Sequence, residues 1–235
     1  MKLAIATPTY QRSDGTTPKF LNRAYESILK QTYQDYKVFL IGDHYEDQTE
    51  FQSFGKMFSP EKFYSKNLPV AAERSKYAMG SRELWCSGGV GAFNVLIEEI
   101  LSQGYEYICH LDHDDYWAED HLEKINEVIE SNDRVGCVYT CGEYVHNSYL
   151  PKVSKLNGRV IESFPMPTNV IHSSTCINFK EISLRYRDVF AETGVALEGD
   201  IDMWNRLKPY CEQHNLKSFL VSKITCFHIE ENNAK

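Results

Sequence analysis

No stretch of the chain approaches the roughly 18 consecutive apolar residues of a membrane span, so no integral membrane segment is expected. Basic side chains are in the minority. The 25 Lys and Arg against 33 Asp and Glu leave a formal charge of −8, which argues against broad electrostatic binding to nucleic acid or to an anionic membrane surface. The seven cysteines are odd in number, form no Cys-x-x-Cys pair and mostly sit in apolar runs, so they are expected as reduced core residues. Too few apolar residues precede Thr7-Pro8 for a secretory leader, and a cytoplasmic protein is expected. Two glycine signatures are also missing. No Gly-x-Gly-x-x-Gly follows the first strand, against a dinucleotide-dependent oxidoreductase, and no glycine- and arginine-rich triphosphate loop follows it, against a nucleotidyltransferase. Without repeats, low-complexity tracts or a linker, the 235 residues read as one domain.

What is present is an alternation of short apolar runs and helical stripes. Leu3–Ala6 stops at Thr7-Pro8-Thr9 and predicts a buried strand that opens into a loop. Thr16-Thr17-Pro18 then reads as a helix start, with Leu21, Ala24 and Ile28 on one face. Tyr36–Ile41 predicts a second strand ending at Gly42-Asp43, and a weak strand is expected over residues 63–65. After Ser87-Gly88-Gly89-Val90-Gly91, the residues Phe93, Leu96, Ile97, Ile100 and Leu101 form a helical stripe. Tyr105–Leu111 is the next expected strand, followed by a helix from Glu119-Asp120, a strand at Val135–Cys141, another at Cys176–Phe179, and a helix over about 199–208 that Pro209 ends or kinks. Residues 142–171, with prolines at 151, 165 and 167, read as irregular excursions. The pattern predicts an α/β fold with a central, mostly parallel sheet flanked by helices.

The chemistry concentrates where strands end. Asp112 and Asp114 are two apart past Leu111, so in extended backbone both carboxylates face one side while Asp115 faces away. Paired carboxylates of this kind suit a hard divalent cation that keeps positions open for phosphate oxygens. In open α/β sheets ligands bind at the carboxyl ends of strands, where Thr7–Tyr10, Asp43 and Asp112–Asp115 would converge. A plainer use is helix capping, with Asp114 or Asp115 at the start of a helix near Trp117.

Four segments together resemble the family 2 glycosyltransferases with the GT-A fold, a nucleotide-diphospho-sugar transferase architecture. They are Ala4-Ile5-Ala6-Thr7-Pro8-Thr9-Tyr10, Leu40-Ile41-Gly42-Asp43, Leu111-Asp112-His113-Asp114-Asp115 and Gly199-Asp200-Ile201-Asp202-Met203-Trp204-Asn205-Arg206-Leu207. The resemblance implies transfer of a sugar from a UDP-sugar donor to an acceptor hydroxyl of a glycan or another molecule. Residues 1–115 would form the nucleotide-sugar half, and 116–235 the half carrying the acceptor site and the base. Asp43 would hydrogen-bond the uracil edge. Thr7, Pro8, Thr9 and Tyr10 would line base and ribose, and Arg12, Arg82 and His113 would add to the nucleotide-sugar site. Asp112 would touch the ribose or the water shell of the metal, and Asp114 would bind Mn2+ or Mg2+.

By the same resemblance Asp200 is the general base that takes the proton of the attacking hydroxyl. Gly199 stands where the family usually has glutamate, and Glu198 lies one residue earlier, which leaves a share of the role open to Glu198 or Asp202. The three acids also suit a helix N-terminus without any catalysis. His228, after a strand near the C-terminus, occupies a place where GT-A enzymes often put a metal ligand, and a packed strand residue is the alternative. His172 is a candidate for the sugar or acceptor pocket. Trp117 and Trp204 read as core residues rather than sugar platforms. The Lys76–Gly91 stretch, with Arg82 and Trp85, reads either as a phosphate-holding, closing loop or as a plain glycine entry to a helix. Alternative readings are a nucleotidyltransferase and a nucleotide-sugar-binding protein without turnover.

Overall fold

Side-chain alternation along the first strand decides the layering. In β1 (Leu3–Thr9), Leu3 and Ile5 enter one apolar cluster while Ala4 and Ala6 enter the other. The first cluster receives Leu21, Ala24 and Ile28 of α1 (Thr17–Leu29), and the second receives Phe93, Leu96, Ile97 and Ile100 from a helix further along the chain. The sheet is thus covered on both faces, as its continuous apolar strands require.

A computed structural model describes residues 2–144, 157–167 and 169–228, and the backbone of Ser148–Leu150. Pro151 and Ile229 lie outside the described residues. After α1 come β2 (Tyr36–Gly42), α2 (Gln48–Ser53), β3 (Phe63–Asn67), α3 (Arg82–Ser87) and α4 (Val90–Ser102). There follow β4 (Tyr107–His110), β5 (Asp115–Trp117), α5 (His121–Ser131), β6 (Val135–Tyr144), β7 (Ser148–Leu150) and β8 (Val160–Glu162). The described chain closes with β9 (Thr175–Asn178), α6 (Val189–Thr193), α7 (Gly199–His214) and β10 (Lys217–His228).

The ten strands of the described residues join one sheet whose main path runs β3-β2-β1-β4-β9-β6-β10-β5, with β7 beside β6 and β8 beside β10. The pairings β3-β2, β2-β1 and β1-β4 are parallel. Strand order reverses at β1, because the chain moves outward through β2 and β3 and then returns with β4 to the other edge of β1. This is the switch point at which open α/β sheets bind ligands. Beyond β4 the sheet is mixed. β9 sits antiparallel between β4 and β6, and β10 runs parallel to β6.

The structure corrects several boundaries. Tyr105–Leu111 shortens to β4, and the weak strand at 63–65 extends to Asn67. No helix starts near Trp117, which is the last residue of β5. Pro209 does not end α7, which continues to His214. Its ring lies within the helix, where it removes a single backbone donor. Taken as one piece, Arg82–Ser102 is long and apolar enough by composition to cross a membrane. It is divided at Gly89, whose φ of +85° suits glycine, and α4 packs on β1 and β2.

Candidate active site

The carboxyl ends of β1, β2 and β4 open into a cleft of about 1370 Å³, lined among others by Tyr10, Asp43, Asp112, Asp114, Asp200 and His228. That exceeds the roughly 300–1,000 Å³ usual for one small ligand.

At one part of the cleft, Asp43 follows β2 and its backbone N–H donates to Thr9 O at 2.7 Å, which ties it to the end of β1. Its Oδ1 accepts from the Ala72 N–H at 2.7 Å and its Oδ2 from Arg74 Nε at 2.9 Å. Arg74 also donates to the Asp43 carbonyl and lies over the Tyr10 ring, 5.2 Å from its centroid. The Tyr10 ring meets His113 edge-on at 5.4 Å, and His113 Nε2 is buried without a partner among the described residues. Burial raises the Tyr10 hydroxyl above its ordinary value.

Asp112, Asp114 and Asp115 leave β4 in a turn, with Asp115 N–H donating to Asp112 O at 3.1 Å. The expected extended backbone is absent there, yet Asp112 and Asp114 both line the cleft and Asp115 turns away from it. Asp115 is buried in β5, where its Oδ1 accepts from His228 Nδ1 at 2.7 Å. Burial pushes its carboxyl up to about 6, against the pull of His228. Burial works against charge on His228, but the bond and charge of Asp115 outweigh it and raise the imidazole to about 9.

Proton accounting fixes the state of a second histidine cluster. Thr175 Oγ1 donates to the His172 carbonyl at 2.7 Å, so it accepts from His110 Nδ1 at 2.9 Å. His110 is fully buried and driven well below its ordinary value by that burial, hence neutral, with Nε2 as acceptor. Tyr186 O–H donates to that nitrogen at 3.2 Å, and Tyr186 Oη in turn accepts from His172 Nε2 at 2.7 Å. His172 Nδ1 faces both oxygens of Asp112 at 3.4 Å, a setting that favours an imidazolium with protons on both nitrogens. The pair responds accordingly. Burial opposes charge on both, but each outweighs it for the other, so His172 goes up and Asp112 down to about 2.

Asp200 enters the cleft on the first turn of α7, where its Oδ1 accepts from the Ile201 N–H at 2.8 Å. Burial raises its carboxyl, and the charge of His172 pulls it partly back. The glycine before it has a steric cause. A Cβ on residue 199 would stand 2.8 Å from Val90 Cγ2, so a side chain there would force α4 or the start of α7 to shift. Glu198 instead reaches Arg82 Nη2 at 2.7 Å. Asp202 does not line the cleft, because Arg206 Nε holds its Oδ2 at 2.7 Å within α7.

Among the described residues no group of three or more His, Cys, Asp or Glu side chains is gathered to hold a metal ion. Asp114 and His228 nevertheless fit a cation that arrives with phosphate oxygens. The Asp114 carboxylate has no hydrogen-bond partner among the described residues, and with His228 Nδ1 bonded to Asp115 it is Nε2, once it gives up its proton, that would be free to coordinate.

No family model matches the chain. An uncharacterized glycosyltransferase of Acanthamoeba polyphaga mimivirus is 31% identical over 241 residues, covering 100% of this chain and 96% of the relative. The chain belongs to the glycosyltransferases. Among solved structures, S. aureus TarS in complex with UDP-GlcNAc matches this glycosyltransferase with a TM-score of 0.65 at 14% identity, over 99% of this chain. The mannosyltransferase PcManGT from Pyrobaculum calidifontis, in complex with GDP-Man and Mn2+, matches with a TM-score of 0.61 at 11% identity, also over 99%. The chain spans 60% of the TarS chain and 58% of the mannosyltransferase chain. These likenesses carry the fold, which is the expected GT-A type.

Of the residues singled out in the sequence, the glycosyltransferase brings Pro8, Thr9, Tyr10, Asp43, Arg82, Asp112, His113, Asp114, Asp200, His172 and His228 to the cleft. It does not bring Thr7, which is fully buried with an unpartnered hydroxyl, or Arg12, which is bonded to Asp14 beside the Phe20 ring. Trp117 and Trp204 are core residues, 3% and 2% exposed. The Gly91 N–H is occupied by Glu73 Oε1 at 2.7 Å, so that amide of the glycine stretch already has its acceptor. Sequence reading missed Arg74, Tyr186 and the buried use of Asp115. Arg74 lies in an irregular stretch with no periodic signal, whereas Asp115 had a signal in its adjacency to the other acids.

Proposed function

We propose that the chain transfers a hexose-type sugar from a UDP-sugar to an acceptor hydroxyl, as a metal-assisted enzyme of the family 2 kind with Asp200 as general base. The observation that carries this reading is one cleft lined by the Asp43–Arg74 pair, the Asp112 and Asp114 carboxylates and the partly buried Asp200. Asp43 accepts the single N3–H of uracil, and Arg74 beside it donates to a flanking carbonyl. TarS bound to UDP-GlcNAc supports the uridine choice.

In this reading donor-side residues come from 1–115 and the base from 116–235. Asp114 and His228 would hold Mn2+ or Mg2+, which supplies charge stabilisation to the diphosphate; the mannosyltransferase bound to GDP-Man and Mn2+ supports the use of a cation in this fold. Asp200 takes the hydroxyl proton as the acceptor oxygen bonds to the anomeric carbon. The bond from that carbon to the phosphate oxygen breaks, and UDP leaves with the electron pair. The raised Asp200 carboxyl is the better base for that displacement, since its proton affinity lies closer to neutrality. Seven free, buried cysteines support a reducing compartment such as the cytoplasm.

Asp200→Asn tests the assignment. Turnover of a UDP-sugar is expected to fall about 10²–10⁴-fold, with UDP affinity by calorimetry within about twofold of the native protein. Unchanged turnover removes Asp200 as base, and failure of the native protein to bind UDP removes the donor reading.

A further inference from the structure

Trp85 is 65% exposed, although the other two tryptophans are buried. Leaving an indole in water forgoes a large burial gain, and such exposure is informative when it falls on a binding cleft rather than on open surface. Trp85 lines the cleft, and so does the 71% exposed Met79.

The indole is held in place. The Arg82 guanidinium lies over one of its faces, 4.5 Å from the ring centroid, and the same guanidinium bonds Glu198 at 2.7 Å. Glu198 is two residues from Asp200. The short helix α3 also packs on the start of α7, since a Cβ at Gly199 would lie 3.9 Å from the Cys86 carbonyl oxygen. A chain of contacts therefore links the indole to the start of α7, and the 65% exposure of Trp85 leaves the ring face opposite Arg82 open.

We propose that this open face is the acceptor platform and that the acceptor is a glycan presenting a pyranose ring. The inference rests on the donor and base reading above. One face of a pyranose carries several C–H bonds with partial positive charge, which complement the electron-rich face of an indole, while its hydroxyls project at the rim. An acyclic polyol has no such preformed face. Stacking on Trp85 holds the ring, Arg82 and Glu198 offer hydrogen bonds to its edge, and one hydroxyl is presented to Asp200. The step is the displacement already described, and the platform adds only position to it. The cleft volume admits both substrates at once.

The probes are methyl glycopyranosides of glucose, mannose and N-acetylglucosamine at high millimolar concentration, with sorbitol as the acyclic control, each added to protein saturated with UDP. Because Trp85 alone of the tryptophans is exposed, stacking is expected to shift the tryptophan emission to the blue, saturably, with at least one pyranoside and not with sorbitol. With the responding pyranoside as acceptor, Trp85→Ala is expected to raise its KM about tenfold or more and leave the Kd for UDP within about twofold. Trp85→Phe is expected to restore most of the KM. Silence of every pyranoside, an equal response to sorbitol, or an unchanged KM in Trp85→Ala overturns the platform while UDP binding leaves the donor reading standing. Absence of UDP binding in the native protein overturns the donor reading instead.

Discussion

His172 Nδ1 lies 3.4 Å from both carboxylate oxygens of Asp112, across a sequence separation of 60 residues. Together with the bond from Nε2 to Tyr186, this makes His172 a fixed cation beside two acids of the cleft. Its titration is expected above the ordinary histidine value of 6.5, because the Asp112 charge outweighs burial. The sign follows from linkage. The stabilisation is whole below about pH 6.5 and is lost as pH rises through the folded-state value. Nitrogen NMR of the imidazole checks this, and Asp112→Asn should lower the titration point; an unmoved titration would separate the two residues.

Arg74 is expected to orient Asp43 for the base. Arg74→Ala should weaken UDP binding about tenfold, in line with loss of a charge-assisted hydrogen bond, and Arg74→Lys should recover only part, since Lys cannot reproduce the planar fork. Calorimetry with UDP and GDP reads both affinity and base choice. Equal UDP affinity in Arg74→Ala would detach the pair from donor recognition.

The strand-end acids were legible in the sequence because the signal is local: an apolar run that stops at Asp43, and another that stops at Asp112 and Asp114. Pairing between distant segments was not legible. Nothing in the Cys176–Phe179 run shows that β9 enters the sheet antiparallel between β4 and β6, and that placement is what brings His172 to Asp112. The role of Asp115 escaped for a related reason, since its partner His228 is 113 residues away.

Metal dependence has a direct readout. UDP affinity is expected to rise at least about tenfold when Mn2+ replaces a chelator, from the charge a divalent cation brings to a diphosphate in an acidic cleft. Asp114→Ala should remove that increment. The same UDP affinity with and without the cation would withdraw Asp114 and His228 as its holders.

Gly199→Ala should destabilise the fold by about 1–3 kcal/mol, because the new methyl group would meet Val90 Cγ2 at 2.8 Å. The denaturant midpoint measures the loss. Val90→Ala in the same chain should return part of it; additivity of the two changes would place the strain elsewhere.

His121 is fully buried, bonded through Nδ1 to Thr225 Oγ1 at 2.7 Å and stacked on Trp117. Burial lowers it from 6.5 to about 3, so the unfolded chain binds the proton first. Stability should be whole above about pH 6.5 and fall as pH drops toward 3, by up to about 1.4 kcal/mol per pH unit from this group. His121→Gln should flatten that slope, as read from urea midpoints at several pH values. An equal slope in both proteins would assign acid sensitivity to other groups.

The slot between β4 and β6 has a consequence for how the chain matures. Strands β1 to β4 can pair as they are made, but the middle of the sheet stays open along two edges until Thr175–Asn178 arrives. An incomplete chain therefore offers unpaired strand edges at its centre rather than at its rim, where foreign strands would add most readily. The arrival of β9 closes those edges and, in the same event, seats His172 against Asp112. Closing the centre of the sheet and setting His172 against Asp112 are one step, whereas Asp200 and His228 reach the cleft only with the α7 and β10 segments that follow.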